Sequence, residues 1–312
     1  MPVEFRKDQI RAVEKGLVET QDQFMAAIYA DLHVDPGNSF GFVFGDLLGQ
    51  IKFILSELDG WVEPRPIPAT VLNLPCKNFV EPQARGVFLV IGAWNFSINV
   101  TLGPLLAIIA AGNCAVMRPS ELSPKCSDYL TMLCENYLDP RFYRCIGNEF
   151  GGLPASQALT ELKWDGIVYT GSGGVGRIIA AKAAQNLTPC ILELGGKCPV
   201  VVHKSSNWEI AIKRIISAKF TNCGQICVNA DYVLIDSEIY EPFKAKLGQT
   251  ITDMYTETPI SCPDYSRIIS SRHAARIWGL VESQNPEKII YQGGEPQISE
   301  KFIPPVILES PD

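Results

Sequence analysis

The chain is short of histidine, with only His33, His203 and His273 in 312 residues. It also lacks any cluster of lysine and arginine, and its formal charge is −7. Proteins that bind nucleic acid carry a basic footprint, so nucleic acid is not an expected partner. The N-terminus, "MPVEFRKDQIRAVEK", has no apolar core of the kind a secretory signal needs. No internal repeat or low-complexity tract interrupts the chain. Its ten cysteines show no framework spacing, and the chain is too long for a small disulfide scaffold. They read as reduced thiols in an intracellular, cytoplasmic protein. The sequons beginning at Asn95, Asn99 and Asn186 are then without consequence, because glycosylation needs the secretory route.

What is present describes a soluble globular protein. Hydrophobic residues make up 46% and charged residues 20%, enough for a real core and for one large or two ordinary domains. Residues 86–117 contain no charge, yet Asn95, Asn99, Gly103, Pro104, Gly112 and Asn113 break the run into pieces too short to span a membrane. "GVFLVIGAW" (86–94) reads as a buried parallel strand. "LGPLLAIIAAG" (102–112) reads as a buried helix capped by Gly112.

Helical spacing of apolar residues covers 4–33 and 40–61, separated by the breaker "HVDPGNS". The proline-rich segment from residue 62 is expected to be an extended connector, reaching to about 85. Apolar runs at 86–94, 114–117, 166–170, 190–194, 199–203 and 231–235 then alternate with helical patterns. That alternation predicts βαβ units and a mostly parallel sheet.

The sharpest local signal is "DGIVYTGSGGVGRIIAAKAA" (165–184), a strand running through Gly171, Ser172, Gly173, Gly174, Val175 and Gly176 into a helix. Glycines let backbone approach a pyrophosphate, and a helix N-terminus offers free N–H groups to it. A glycine-rich turn without a ligand would look the same. Read as a simple dinucleotide fingerprint, it would place Glu193, about twenty residues on, against the adenosine ribose.

Five segments occur in order: "IGAWNFSI" (91–98), "AGNCAVMRPSELSP" (111–124), "YTGSGGVG" (169–176), "LTPCILELGGKCP" (187–199) and "NCGQICVNADY" (222–232). Together they resemble the aldehyde dehydrogenase superfamily, and most closely its class 3, fatty-aldehyde branch. The resemblance covers nearly the whole chain. It implies an α/β fold: a Rossmann-like parallel-sheet domain binding NAD or NADP over residues 1–196, with a bridging segment near 62–85, and a partial α/β catalytic domain over 197–312.

By the same resemblance Cys227 matches the nucleophile, Glu193 the general base and Asn95 the oxyanion-stabilising amide. Gly171 to Gly176, Arg118, Glu121, Trp94 and Leu194 match cofactor-binding positions. Glu193 thereby moves from the ribose to catalysis. The implied substrate is a medium- or long-chain or aromatic aldehyde. Arg118 replaces the family's usual lysine, which leaves NAD and NADP both open. Phe96 and Ser97 replace the aromatic-proline pair that often follows this Trp-Asn.

The cysteine pair in the last segment has other readings. Cys223 and Cys227 lack a third thiol in register for an iron–sulfur cluster. They also lack the nearby histidine or second cysteine pair of a zinc site, so no metal is expected. A cysteine hydrolase would need a histidine partner, and the best of the three, His203, sits in no hydrolase signature. Cys223 reads as core packing and Cys227 as the nucleophile. The chain ends at Asp312, before the E-I-F-G-P motif of family members and their C-terminal dimerisation arm. The expectation is a truncated chain, without the family-type homodimer or a membrane tail. The alternative is a non-catalytic relic that at most binds nucleotide or a full-length relative.

Overall fold

The computed structural model describes residues 1–309. They divide into two compact units, residues 1–24 with 40–193, and residues 25–39 with 194 onward.

The N-terminal region is helical, as its spacing predicts. It holds α1 (Val3–Glu19), α2 (Gln21–Leu32), the short α3 (Pro36–Ser39) and α4 (Gly45–Val62), entered through a π-helical turn at Phe40–Phe44. The connector after α4 is not wholly irregular. It contains an antiparallel hairpin of β1 (Arg65–Ile67) and β2 (Asn78–Val80). Neither strand has a buried residue, so no alternation of apolar and polar residues marks them in the sequence.

Six βαβ-type elements follow in alternation: β3 (Val87–Ile91), α5 (Asn99–Ala110), β4 (Cys114–Arg118), α6 (Pro124–Tyr137), β5 (Tyr143–Cys145) and α7 (Gly152–Glu161). The first unit closes with β6 (Gly166–Gly171), α8 (Gly173–Ala184) and β7 (Cys190–Leu194). The five strands form one sheet in the order β5-β4-β3-β6-β7, with β3 parallel to both β4 and β6. From β3 the chain winds outward through β4 to β5, then returns to the other side of β3 with β6. The sheet therefore has a topological switch point between β3 and β6, where ligands bind outside the carboxyl ends of the strands.

Side chains fix where these strands start. Asn113 Oδ1 accepts from the N–H groups of Arg85 and Gly86 at 2.6 and 2.9 Å. Asp165 Oδ2 accepts from the Val87 N–H at 2.8 Å. The charge-free α5 is a core helix: Leu102, Leu105, Leu106 and Ile109 are fully buried, each side chain contributing about 1.5–3 kcal/mol. Among the described residues, the stretch long and apolar enough to cross a membrane is Pro36–Val62. Its Leu47, Ile51, Ile54 and Leu58 are buried, while Phe42 and Phe53 are exposed.

The second unit carries β8 (Pro199–Val202), α9 (Trp208–Phe220), β9 (Tyr232–Ile235), α10 (Tyr240–Tyr255), α11 (Ser271–Glu282), β10 (Ile289–Gln292) and β11 (Val306–Leu308). β8 and β9 pair in parallel, and β10 and β11 antiparallel. Ile212, Ile216, Phe243, Ile251 and Phe302 lie in its core. Tyr265 packs edge-on against Tyr255 and Phe302, at centroid distances of 5.4 and 5.7 Å.

The helix layer of the first unit is packed to contact. A Cβ added at Gly16 in α1 would lie 2.7 Å from Leu133 Cδ1 and 3.0 Å from the Tyr137 ring, both on α6. Overpacking of this kind costs about 1–3 kcal/mol. Gly16→Val should lower the unfolding free energy by that amount in urea denaturation. An unchanged midpoint would contradict this packing.

Candidate active site

Four of the matched segments lie at the carboxyl edge of the five-stranded sheet. Trp94 and Asn95 follow β3, Arg118 ends β4, the glycine turn follows β6, and Glu193 and Leu194 end β7. β3 and β6 are neighbours, so Asn95 and the glycine turn flank the switch point.

The glycine turn has the form that a pyrophosphate needs. Ser172 is the N-cap of α8, and its Oγ accepts from the Val175 N–H at 3.4 Å. A Cβ at Gly174 would meet nothing within 4 Å, and one at Gly173 would meet only the Arg177 Nη1 at 3.7 Å. The backbone there is open to close approach. Gly171 is constrained differently, because a Cβ would lie 2.2 Å from the Tyr169 hydroxyl. Within the first turn of α8 Gly176 is buried, while Val175 is exposed. The turn thus combines a packed underside with an accessible rim.

Arg118 departs from the ribose contact expected of it. Its side chain is wholly buried. Nε donates to Ser156 Oγ at 2.9 Å, Nη1 to the carbonyls of Ile146 and Gly147 at 2.9 and 2.7 Å, and Nη2 to the Gly152 carbonyl at 2.7 Å. The guanidinium ties the end of β4 to the segment between β5 and α7. A buried cation persists only when it is paired and hydrogen-bonded, and here carbonyl oxygens do that work. Glu121, 4.0 Å from Nη2, keeps its carboxylate partly exposed. Glu193 and Leu194 are exposed at the end of β7.

The second unit presents Cys227 on a loop after α9. Cys227 is exposed, whereas the Cys223 thiol is turned inward and donates to the Ser266 carbonyl at 2.8 Å. Burial pushes the Cys223 thiol up to about 12, so it is a neutral packing group at any ordinary pH. The backbone of Asn222, Cys223 and Gly224 is left-handed, with φ of 50°, 51° and 74°. Each non-glycine residue in that region costs on the order of 1 kcal/mol, so other contacts must hold the turn. Two of the three histidines have hydroxyl partners. His203 Nδ1 meets Ser205 Oγ at 2.8 Å, and His273 Nδ1 meets Ser270 Oγ at 2.7 Å, next to the N-terminus of α11.

The model of the aldehyde dehydrogenase family matches residues 1–312. The chain belongs to the aldehyde dehydrogenase family. Over its whole length it is 36% identical to aldehyde dehydrogenase family 3 member A2 of Mus musculus, and it spans 63% of that protein. It is also 36% identical to the dimeric NADP-preferring aldehyde dehydrogenase of Canis lupus familiaris, with 98% of this chain and 66% of that protein covered. The solved substrate-bound Staphylococcus aureus AldH superposes with a TM-score of 0.93 at 31% identity, covering 98% of this chain and 66% of that one. The class 3 resemblance and the α/β fold expected from the sequence both stand.

Two residues outside the expected set hold the segments that carry these candidate residues. Ser156 and Gln225 each bond to backbone or side chains far away in sequence, Ser156 to Arg118 and Gln225 to residues 267 and 269. Gln225 lies inside a motif already singled out, but its partners carry no sequence signal.

Two measurements check this geometry. Limiting iodoacetamide on the folded chain should label Cys227 and leave Cys223 unmodified, as peptide mapping would read; preferential labelling of Cys223 would contradict the placement. Arg118→Lys keeps the charge but has one ammonium for four acceptors. Hydrogen bonds to charged groups contribute about 1.5–3 kcal/mol each, so the variant should lose at least about 1.5 kcal/mol in urea denaturation. Unchanged stability with weakened NAD affinity would instead return Arg118 to the ribose.

Proposed function

We propose that this chain oxidises an aldehyde to its carboxylic acid with NAD or NADP, through a thioester on Cys227. The observation that carries the reading is the arrangement at the carboxyl edge of the sheet: Asn95 and an open glycine turn on either side of the switch point, in a chain of the aldehyde dehydrogenase family. Residues 1–196 would bind cofactor, and the following residues carry the nucleophile.

The substrate class is a medium- or long-chain or aromatic aldehyde. The resemblance of the five motifs to the fatty-aldehyde branch of the family supports it. Either cofactor is compatible: a dimeric relative is named for preferring NADP, and Arg118 is already committed to protein acceptors.

The residues divide the chemistry. The Cys227 thiolate adds to the aldehyde carbon and leaves an oxyanion. Donors aimed at such an oxyanion are worth about 3–4 kcal/mol each, and the Asn95 amide and the Cys227 backbone N–H take that role. The pyrophosphate of the cofactor would lie against residues 171–176 and the N-terminus of α8. The nicotinamide, when bound, supplies the hydride acceptor. Glu193 then removes a proton from the water that attacks the thioester carbon, releasing acid and the Cys227 thiol.

Aldehyde-dependent formation of NADH or NADPH by the purified chain tests the reading directly. Glu193→Gln should slow steady turnover by about 10²–10⁴-fold and leave cofactor affinity nearly intact. Cys227→Ala should abolish turnover and still bind cofactor. Cofactor binding without turnover in the unmodified chain would favour the alternative of a non-catalytic relative; turnover that survives Cys227→Ala would refute the thioester.

A further inference from the structure

The loop that carries Cys227 is held in a conformation its own residues do not favour. Asn222 and Cys223 are left-handed non-glycine residues, followed by left-handed Gly224. Three consecutive residues of this kind make a tight reversal immediately before the thiol, and a partner must outweigh the strain.

That partner is the Gln225 side chain. Its Nε2 donates to the Asn222 carbonyl at 2.9 Å and to the Arg267 carbonyl at 3.0 Å. Its Oε1 accepts from the Ile269 N–H at 3.0 Å. One amide therefore grips the reversal at residue 222 and binds it to a second segment at residues 267–269.

The second segment is itself anchored, so the grip has something rigid to act on. The Arg267 N–H donates to the Leu32 carbonyl at 2.8 Å, and the Ile268 N–H to the Lys301 carbonyl at 2.9 Å. The Arg267 guanidinium donates to the carbonyls of Tyr265 and Ile260 at 2.9 and 2.7 Å, with its cation 5.3 Å from the Phe302 ring centre. On the other side of the thiol the loop is closed by two further bonds. Asn229 Nδ2 donates to the Gly224 carbonyl at 2.9 Å, and Cys198 Sγ to the Cys227 carbonyl at 3.4 Å.

We infer that Gln225 is a positioning residue: its amide locks the left-handed turn 222–224 onto residues 267–269 and so fixes the backbone from which Cys227 projects. The consequence for catalysis rests on the thioester reading above, but the lock itself does not. Only an amide fits the role. A carboxylate keeps the shape and the acceptor for Ile269 but turns its second oxygen toward the carbonyls of Asn222 and Arg267. A leucine fills the space and makes none of the three bonds.

Amide hydrogen exchange and thiol mapping on the whole chain test the lock without any activity measurement. In Gln225→Leu, exchange over residues 222–229 and 267–269 should rise together by tenfold or more, while α9 keeps its protection. The Cys223 thiol should become reactive toward a dipyridyl disulfide. Gln225→Glu should behave the same way at neutral pH. It should recover protection of both segments and of Cys223 at acidic pH, where the protonated carboxyl can again donate to a carbonyl. A residue that merely fills space would show no such recovery. If the leucine variant loses protection throughout, the pH dependence of the glutamate variant decides. Unchanged exchange at Ile269 and a protected Cys223 in both variants would overturn the inference. So would a glutamate variant indifferent to pH. A lock that responds as described in a chain without aldehyde turnover would leave the inference standing and remove the proposed reaction.

Discussion

Parallel pairing forces every strand of a sheet to leave it at the same edge. β3 is hydrogen-bonded on both sides, to β4 and to β6, and the helices between strands return the chain to the far edge each time. The residues following β3, β4, β6 and β7 therefore share one edge however far apart they lie in sequence. Asn95, Glu121, the glycine turn and Glu193 are separated by up to about a hundred residues, and the ladder alone brings them there. The central strands are bonded on both edges and pack against a buried core of aliphatic and aromatic side chains, among them Leu89, Trp164, Ile167 and Tyr169.

The two charged or polar side chains that hold this machinery in shape act through backbone carbonyls. Arg118 is consumed by four acceptors around the start of α7. Gln225 spends its amide on a strained reversal in the other unit. Both sit inside segments that look chemical in the sequence, and both serve the fold beneath the chemistry. Cys223 and Cys227 make the same division within one turn. The inward thiol donates to a carbonyl and stays neutral, and the outward one remains exposed.

Much of this was legible in advance because burial leaves periodic traces. The runs at 86–94, 114–117, 166–170, 190–194, 199–203 and 231–235 each correspond to a strand. β3, β4 and β6 are apolar because they lie inside the sheet, whereas β7, β8 and β9 are apolar though largely exposed. What escaped was short or unburied. β5 has three residues with an exposed arginine at its centre. β1 and β2 have no inward face to pattern. The outward role expected of Arg118 followed from its motif. Its burial depends on carbonyls at residues 146, 147 and 152, which only the fold brings within reach. The lock at Gln225 was invisible for the same reason, since its partners lie more than forty residues away.

The central claim is that Cys227, alone among ten cysteines, forms a covalent acyl intermediate. The most direct measurement is mass spectrometry of the Glu193→Gln chain quenched after mixing with aldehyde and NAD or NADP, followed by peptide mapping. The account predicts one acyl group in thioester linkage on the peptide containing residues 222–232, absent when cofactor is omitted. An acyl group on any other cysteine, or its complete absence from a chain that nevertheless turns over aldehyde, would contradict it.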